Sequence, residues 1–213
     1  MRHDFFKRQQ GVVLLIALIV LVAMTLAGIA LVRSVDTGNL AAGNLAFRQG
    51  ASLAADDGIE AGITWLSGQQ GGGNSLKDDQ AGNGYYATSQ DALDVTNKTI
   101  TSAAVDWDHN SCKDLDVTNC IQPSASVEVK DDGVVLYTYS YIIHRLCSKP
   151  LGYNDKDNSC VTYQGSDDKS PSRDAPQAGD TRFAGEPVPY YRITTRVLGP
   201  RNTTSFVQAV VHY

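Results

Sequence analysis

The sequence has no proline before Pro123 and no charged residue between Val12 and Val32. The first 122 residues therefore contain no proline that would interrupt a helix. Basic residues are outnumbered, with 18 Lys and Arg against 23 Asp and Glu and a net charge of −5. An acidic chain lacks the electrostatic attraction that drives nucleic-acid binding, so we expect no nucleic-acid partner.

Catalytic signatures are missing as well. The sequence contains no G-x-S-x-G, no H-E-x-x-H and no phosphate-binding loop. The histidines are scattered along the chain, at His3, His109, His144 and His212. We predict that the protein is not an enzyme and has no catalytic residue, resident metal or cofactor.

Calcium is the one alternative, because spaced acids in a loop are typical calcium ligands. Two groups have this character, Asp106, Asp108 and Asn110 in one loop and Asp155, Asp157 and Asn158 in another. Neither completes an EF-hand pattern, so a solvated acidic loop is the preferred interpretation.

The uncharged run from Val12 to Val32 is 21 residues long. As a helix it would extend roughly 31 Å, enough to cross the hydrocarbon core of a bilayer. Arg2, Lys7 and Arg8 precede it, which favours a cytoplasmic N-terminus and an exported C-terminal domain. A plain membrane anchor is one interpretation, and a secretory signal cut near Gly28-Ile29-Ala30 is another.

All four cysteines follow the apolar run, so they are expected to lie in the exported domain. An even number of cysteines in an oxidising compartment predicts two disulfides. Three connectivities are open, of which we prefer the two short loops, Cys112–Cys120 and Cys147–Cys160. Neither spacing is the C-x-x-C of a redox or zinc site.

Helical spacing continues beyond the apolar run. Small or apolar residues recur at steps of three or four, namely Leu40, Gly43, Phe47, Ala51, Ala54, Gly58, Gly62 and Leu66. This pattern predicts one helix from about Val12 to Trp65, whose second half is amphipathic and packs one face on the soluble domain. The glycine cluster Gly68–Gly73 is predicted to end it.

From Ser126 onward the period changes to two. Asp131-Asp132-Gly133 between Val127–Lys130 and Val134–Leu146 predicts a hairpin, and Tyr190–Leu198 with Ser205–Tyr213 predicts another. The stripe Tyr137, Tyr139, Tyr141 is interpreted as a core face, with a ligand surface as the alternative. We expect an α+β fold, with a long helix covering the one apolar side of an antiparallel sheet.

Three segments of the sequence resemble the PilX-type minor pilins of type IV pili. They are Gln9–Leu18, Ala42–Ala51, and Tyr190–Arg196 with the closing Val207–Val211; Tyr141–Cys147 supports them. The basic leader ending in glycine before a membrane-length helix is the layout of a type IV prepilin. The family's usual acid, at the fifth residue after that glycine, is here Ile16.

The resemblance implies four segments: a prepilin leader at 1–11, a membrane-spanning half-helix at 12–33, an amphipathic half-helix at 34–66 and an exported globular domain at 67–213. It also implies that a prepilin peptidase cuts between Gly11 and Val12 and that Val12 is then N-methylated. The missing acid at Ile16 is typical of subunits placed at or near the pilus tip, a property shared with the type II secretion pseudopilin K.

The expected function is that of a minor pilin that primes pilus assembly, contributing to motility or adhesion. The expected partners are the major pilin, other minor pilins, a tip adhesin, the inner-membrane assembly platform and the bilayer. The protein would wait in the inner membrane with a periplasmic domain and end in the extracellular pilus. A membrane-anchored periplasmic binding module, using the tyrosine stripe or the segment 147–189, is one alternative, and a type II secretion pseudopilin K-like tip subunit is the other.

Overall fold

The computed structural model describes residues 12–69, 76–100, 102–165 and 187–212. Helix α1 runs without interruption from Val12 to Gly68, so the predicted long helix is confirmed and ends three residues beyond Trp65. The chain divides into two compact units between Phe47 and Arg48, and the helix contributes to both. Gly68 is its last residue, as the glycine cluster predicted.

Eight strands follow in the described residues. They are β1 Tyr85–Tyr86, β2 Ala103–Val105, β3 Asn119–Ile121, β4 Val127–Asp131, β5 Val134–Arg145, β6 Thr162–Tyr163, β7 Val188–Gly199 and β8 Thr203–His212. The two 12-residue strands β5 and β7 pair antiparallel at the centre of the sheet. On the outside, β4 and β1 border β5, while β8 and β6 border β7.

Both predicted hairpins are present. Asp131 pairs with Val134, and the two residues between them, Asp132 and Gly133, have φ values of 45° and 80°. Two left-handed residues in a two-residue loop form a type I′ turn, whose twist matches that of the strands. The second hairpin joins β7 to β8 through the short turn Pro200–Asn202.

The core that fixes the fold lies between α1 and one sheet face. Leu66 packs with Tyr141, Ile143 and Ile193 near the end of the helix. Farther back along α1, Ala51, Ala54 and Ala55 pack with Tyr139 and Val197. The predicted α+β class, a long N-terminal helix packed on a largely antiparallel sheet, is confirmed.

Two details of the expected sheet are wrong. Strand β1 runs parallel to β5, so the sheet is mixed. Its centre is also buried on both faces, because Ile142 and His144 on the side away from α1 have no exposed surface. The polar segment that precedes β4 covers this second face with Tyr86, Val105, Trp107 and Ile121. The sequence shows that this segment has a few apolar side chains. It does not show that they pack together on one face of the sheet.

Gly84 makes this second layer possible. It has φ +69°, and a Cβ there would lie 2.5 Å from the main-chain nitrogen of Ser124 and 2.7 Å from the carbonyl oxygen of Tyr141. Only glycine allows the chain to approach β5 this closely in a left-handed conformation. Tyr85 and Tyr86 can then be buried on opposite faces directly after it.

Candidate functional site

The first candidate site is the start of α1. Val12 is the first residue of the helix, no acid lies in its first turn, and Ile16 is 54% exposed. The apolar stretch that follows is not buried inside the structure and is long and apolar enough to cross a membrane. Gly11, the other residue of the predicted cleavage site, lies outside the described residues.

The second candidate site is the contact between the helix and the sheet. A stripe of small buried residues, Ala51, Ala54, Ala55, Gly58 and Gly62, faces β5 and β7. A Cβ at Gly58 would lie 3.0 Å from Cδ2 of Tyr139 and would overlap Thr195, so the glycine lets the helix backbone approach the sheet. Tyr139 and Tyr141 are only 9% and 8% exposed. This burial argues that the tyrosine stripe is core and not a ligand surface.

Two disulfides join Cys112 to Cys120 and Cys147 to Cys160. These are the two short loops preferred from the sequence. Cys147 lies two residues after the end of β5, and Cys160 lies opposite it in an isolated antiparallel bridge, two residues before β6. The second disulfide therefore closes the loop between the two strands at its base.

A buried arginine organises this same loop. Arg145, the last residue of β5, is 2% exposed. Its guanidinium donates to the carbonyl oxygens of Leu151 at 2.6 Å, Ala87 at 3.1 Å and Lys149 at 3.3 Å. Sequence reasoning missed this role, since an arginine at a strand end usually lies in solvent. In the sequence, the one indication of this role is that Arg145 lies two residues before Cys147, where the short disulfide loop begins.

In the first loop considered for calcium, hydrogen bonds hold the carboxylate of Asp106. The Asp106 carboxylate accepts main-chain N–H groups of Asn110 at 2.9 Å and Ser111 at 2.8 Å. Burial alone would raise the pKa of Asp106, but these bonds outweigh it and the pKa is lowered. Ligand atoms of Asp106, Cys112 and Cys120 lie within 4.8 Å of one another. Because the two sulfurs are bonded to each other, they offer no thiolate to a metal.

The second acidic loop is also a set of turns. The Asp155 carboxylate accepts the main-chain N–H of Asp157 at 2.9 Å. Asn158 donates to the carbonyls of Leu151 and Gly152 and accepts the N–H of Lys149 at 3.0 Å. Side chains of this type commonly fix turns through such bonds, and this use accounts for the spacing that suggested calcium.

His144 lies in a polar cluster buried on the second sheet face. Its ring stacks on Tyr86 with centroids 5.8 Å apart, and Arg192 occupies the paired position on β7. Neither ring nitrogen has a hydrogen-bond partner within the part of the chain that the structure describes. Burial, with a smaller contribution from the charge of Arg192 and against the opposing effect of Asp91, lowers the pKa of His144 to about 3. The imidazole is therefore neutral at physiological pH.

Comparison with known proteins gives nothing from which a function can be transferred. The features of the chain that bear on its role are the apolar start of α1, the small-residue contact between α1 and the sheet, and the two disulfide loops. No protein-family model, curated protein or solved structure matches the chain.

Proposed function

We propose that the chain is a PilX-like minor pilin, which primes the assembly of a type IV pilus and is incorporated at or near its tip. The observation that carries the proposal is helix α1. This single helix of 57 residues begins with an exposed apolar stretch of membrane length. Its later part packs a face of small residues against the sheet. A subunit that moves from a bilayer into a helical fibre needs both properties in one helix.

The proposed route starts in the inner membrane. A prepilin peptidase cuts between Gly11 and Val12, and the new amine of Val12 is methylated. The assembly platform then draws the apolar half of the helix out of the bilayer and into a fibre shared with the major pilin and other minor pilins. The globular domain, stapled by its two disulfides, meets the extracellular medium and, through a tip adhesin, contributes to adhesion or motility.

The intact mass of the mature protein tests the cleavage. Membranes from the native host should contain a product that begins at N-methylated Val12. Gly11→Val should leave the leader attached, because a larger side chain is introduced beside the cut bond, while Gly11→Ala serves as the mild control. A protein that retains Met1, or one that begins at Leu31, would contradict the proposal.

The meaning of Ile16 is tested separately. A glutamate buried in a fibre without a paired amine costs several kcal/mol, so Ile16→Glu should lower pilus number or move the subunit away from the tip. Pilus counts and immunogold position measure the effect, with Ile16→Leu as the size-matched apolar control. Unchanged number and position in the glutamate variant would show that the missing acid has no positional role.

A further inference from the structure

A cavity of about 380 Å³ lies between the segment 96–115 and the strands β7 and β8. It is on the second sheet face, away from α1, and none of the residues proposed for pilus assembly line it. Pockets of about 300–1,000 Å³ with a few convergent polar groups are typical of small-molecule sites. The cavity is therefore large enough for a small ligand. The side chains that line it determine the chemical class of ligand that could bind.

One wall of the cavity is aromatic. Trp107 and Phe206 both line it, and their rings meet edge to face with centroids 5.8 Å apart at 64°. The indole N–H of Trp107 donates to the carbonyl of Val95 at 2.7 Å. The wall is thus fixed by contacts within the protein, and its accessible apolar surface comes mainly from the half-buried Phe206, because Trp107 is only 6% exposed.

The lining also includes paired polar side chains of both signs. Asp108, whose side chain is 68% exposed, contacts Arg196 at 2.7 Å, and Arg196 is only 13% exposed. Asn110 donates to the carboxylate of Asp114 at 2.8 Å. Lys98 also reaches the lining. Carboxylate, amide and guanidinium groups are consequently held at set positions around one small space.

We propose that this cavity binds one sugar unit of a glycan. Adjacent hydroxyls can donate to Asp108 or Asp114 and accept from Arg196 or Asn110, while the C–H face of a pyranose packs on Trp107 and Phe206. A simple anion would meet the carboxylates of Asp108 and Asp114, and a simple cation would meet Arg196 and Lys98. A neutral polyhydroxy ligand uses both sets of groups without an unpaired charge.

The sheet provides a matched control for the test. Arg192 and Arg196 lie on the same face of β7, and each contacts one exposed aspartate, Asp91 at 3.5 Å and Asp108 at 2.7 Å. Only the Arg196–Asp108 pair lines the cavity. Removing Asp91 disturbs the same kind of surface ion pair while leaving the cavity lining intact.

The experiment uses the full chain in lipid nanodiscs, titrated calorimetrically and by tryptophan fluorescence with the methyl glycosides of glucose, galactose, mannose and N-acetylglucosamine. At least one should bind saturably in the millimolar range expected of so small a ligand. Asp108→Ala should weaken that binding about tenfold, the loss expected for a hydrogen bond to a charged group. Asp91→Ala should bind as the unaltered chain does.

Thermal unfolding establishes that both variants are folded, and Asp114→Asn replaces Asp108→Ala if the latter is not. Absence of saturable binding by all four glycosides would overturn the proposal. So would equal losses in the Asp108 and Asp91 variants, or tighter binding of inorganic phosphate than of any sugar. Because the cavity shares no residue with the cleavage site or the helix contact, failure of this test leaves the pilin proposal standing.

Discussion

At the scale of single residues, His144 shows how burial makes a side chain sensitive to pH when no described residue offers its ring a hydrogen bond. The folded-state pKa of His144 is about 3, well below its ordinary value of 6.5. Between these values the unfolded chain binds a proton that the folded chain does not. Stability is therefore fully present above pH 6.5 and is lost as the pH falls toward 3, by at most about 1.4 kcal/mol per pH unit.

Replacing His144 should remove this acid sensitivity. We expect His144→Phe, which keeps a ring against Tyr86, to flatten the dependence of the unfolding free energy on pH between 6.5 and 4. Chemical denaturation at a series of pH values measures the slope. Parallel curves for the unaltered chain and His144→Phe would contradict the assignment.

Gly58 illustrates the opposite case, in which a side chain must be absent. Gly58→Ala adds a Cβ that meets Thr195 and lies 3.0 Å from Tyr139. We expect a net destabilisation, because overpacking costs about 1–3 kcal/mol while the gain in helix propensity is about 1 kcal/mol. Thermal unfolding in detergent measures it. Gly43→Ala, where a Cβ meets nothing within 4 Å, should be neutral or stabilising, and a Gly58 variant that behaves the same way would be inconsistent with close helix–sheet contact.

At the scale of elements, the two disulfide loops differ in what they secure. The Cys147–Cys160 bond and Arg145 together hold the loop that leads from β5 to β6. The other bond closes the segment that packs on the second sheet face. Each loop should therefore loosen separately when its own disulfide is removed.

The double variant Cys147→Ser/Cys160→Ser should lose about 2–4 kcal/mol of stability, the usual contribution of a native disulfide. Hydrogen exchange should speed up at amides of the loop, among them Asn158 and Ser159, since their bonds to the Asp155 carbonyl and the Ser148 hydroxyl open more often once the loop is no longer closed covalently. The control Cys112→Ser/Cys120→Ser should leave those amides protected. Equal protection in both double variants would show that hydrogen bonds alone hold the loop.

At the scale of the whole molecule, the start of α1 is long and apolar enough to cross a membrane, whereas its later part carries charged residues. Leu21 and Leu53 show the difference, because both are helical and they are 64% and 68% exposed. Leu21 lies within the charge-free run, whereas Leu53 is near Arg48, Asp56 and Asp57. Because Leu21 has only uncharged neighbours and Leu53 has charged ones, we predict lipid around Leu21 and water around Leu53.

Arginine substitution separates these two surroundings. An arginine at the centre of a membrane helix costs about 2.5–3.5 kcal/mol on insertion scales, so Leu21→Arg should reduce the fraction of the chain that resists alkaline extraction from membranes. Leu53→Arg should leave that fraction unchanged. If both variants stay equally membrane-bound, residues 12–33 do not provide the anchor.

The sequence predicted the elements that depend on local pattern. The long helix, the Asp132-Gly133 turn and the second hairpin follow from spacing and turn chemistry, and the structure has all three. The polar segment before β4 could not be predicted, because its apolar anchors Tyr86 and Trp107 are far apart and have no period. The cavity was missed for the same reason, since Asp108 and Arg196 are 88 residues apart.

The sequence by itself determined that the chain has a membrane-length apolar start, a helix with one face of small residues and strands of period two, because each depends on neighbours within a few residues. Only the tertiary structure decided that the sheet is covered on both faces, that Arg145 holds a loop from inside and that polar side chains of both signs meet beside Trp107. Those features depend on contacts between residues that are far apart in the sequence. Such contacts result from close packing in the folded chain, and no local sequence pattern predicts them.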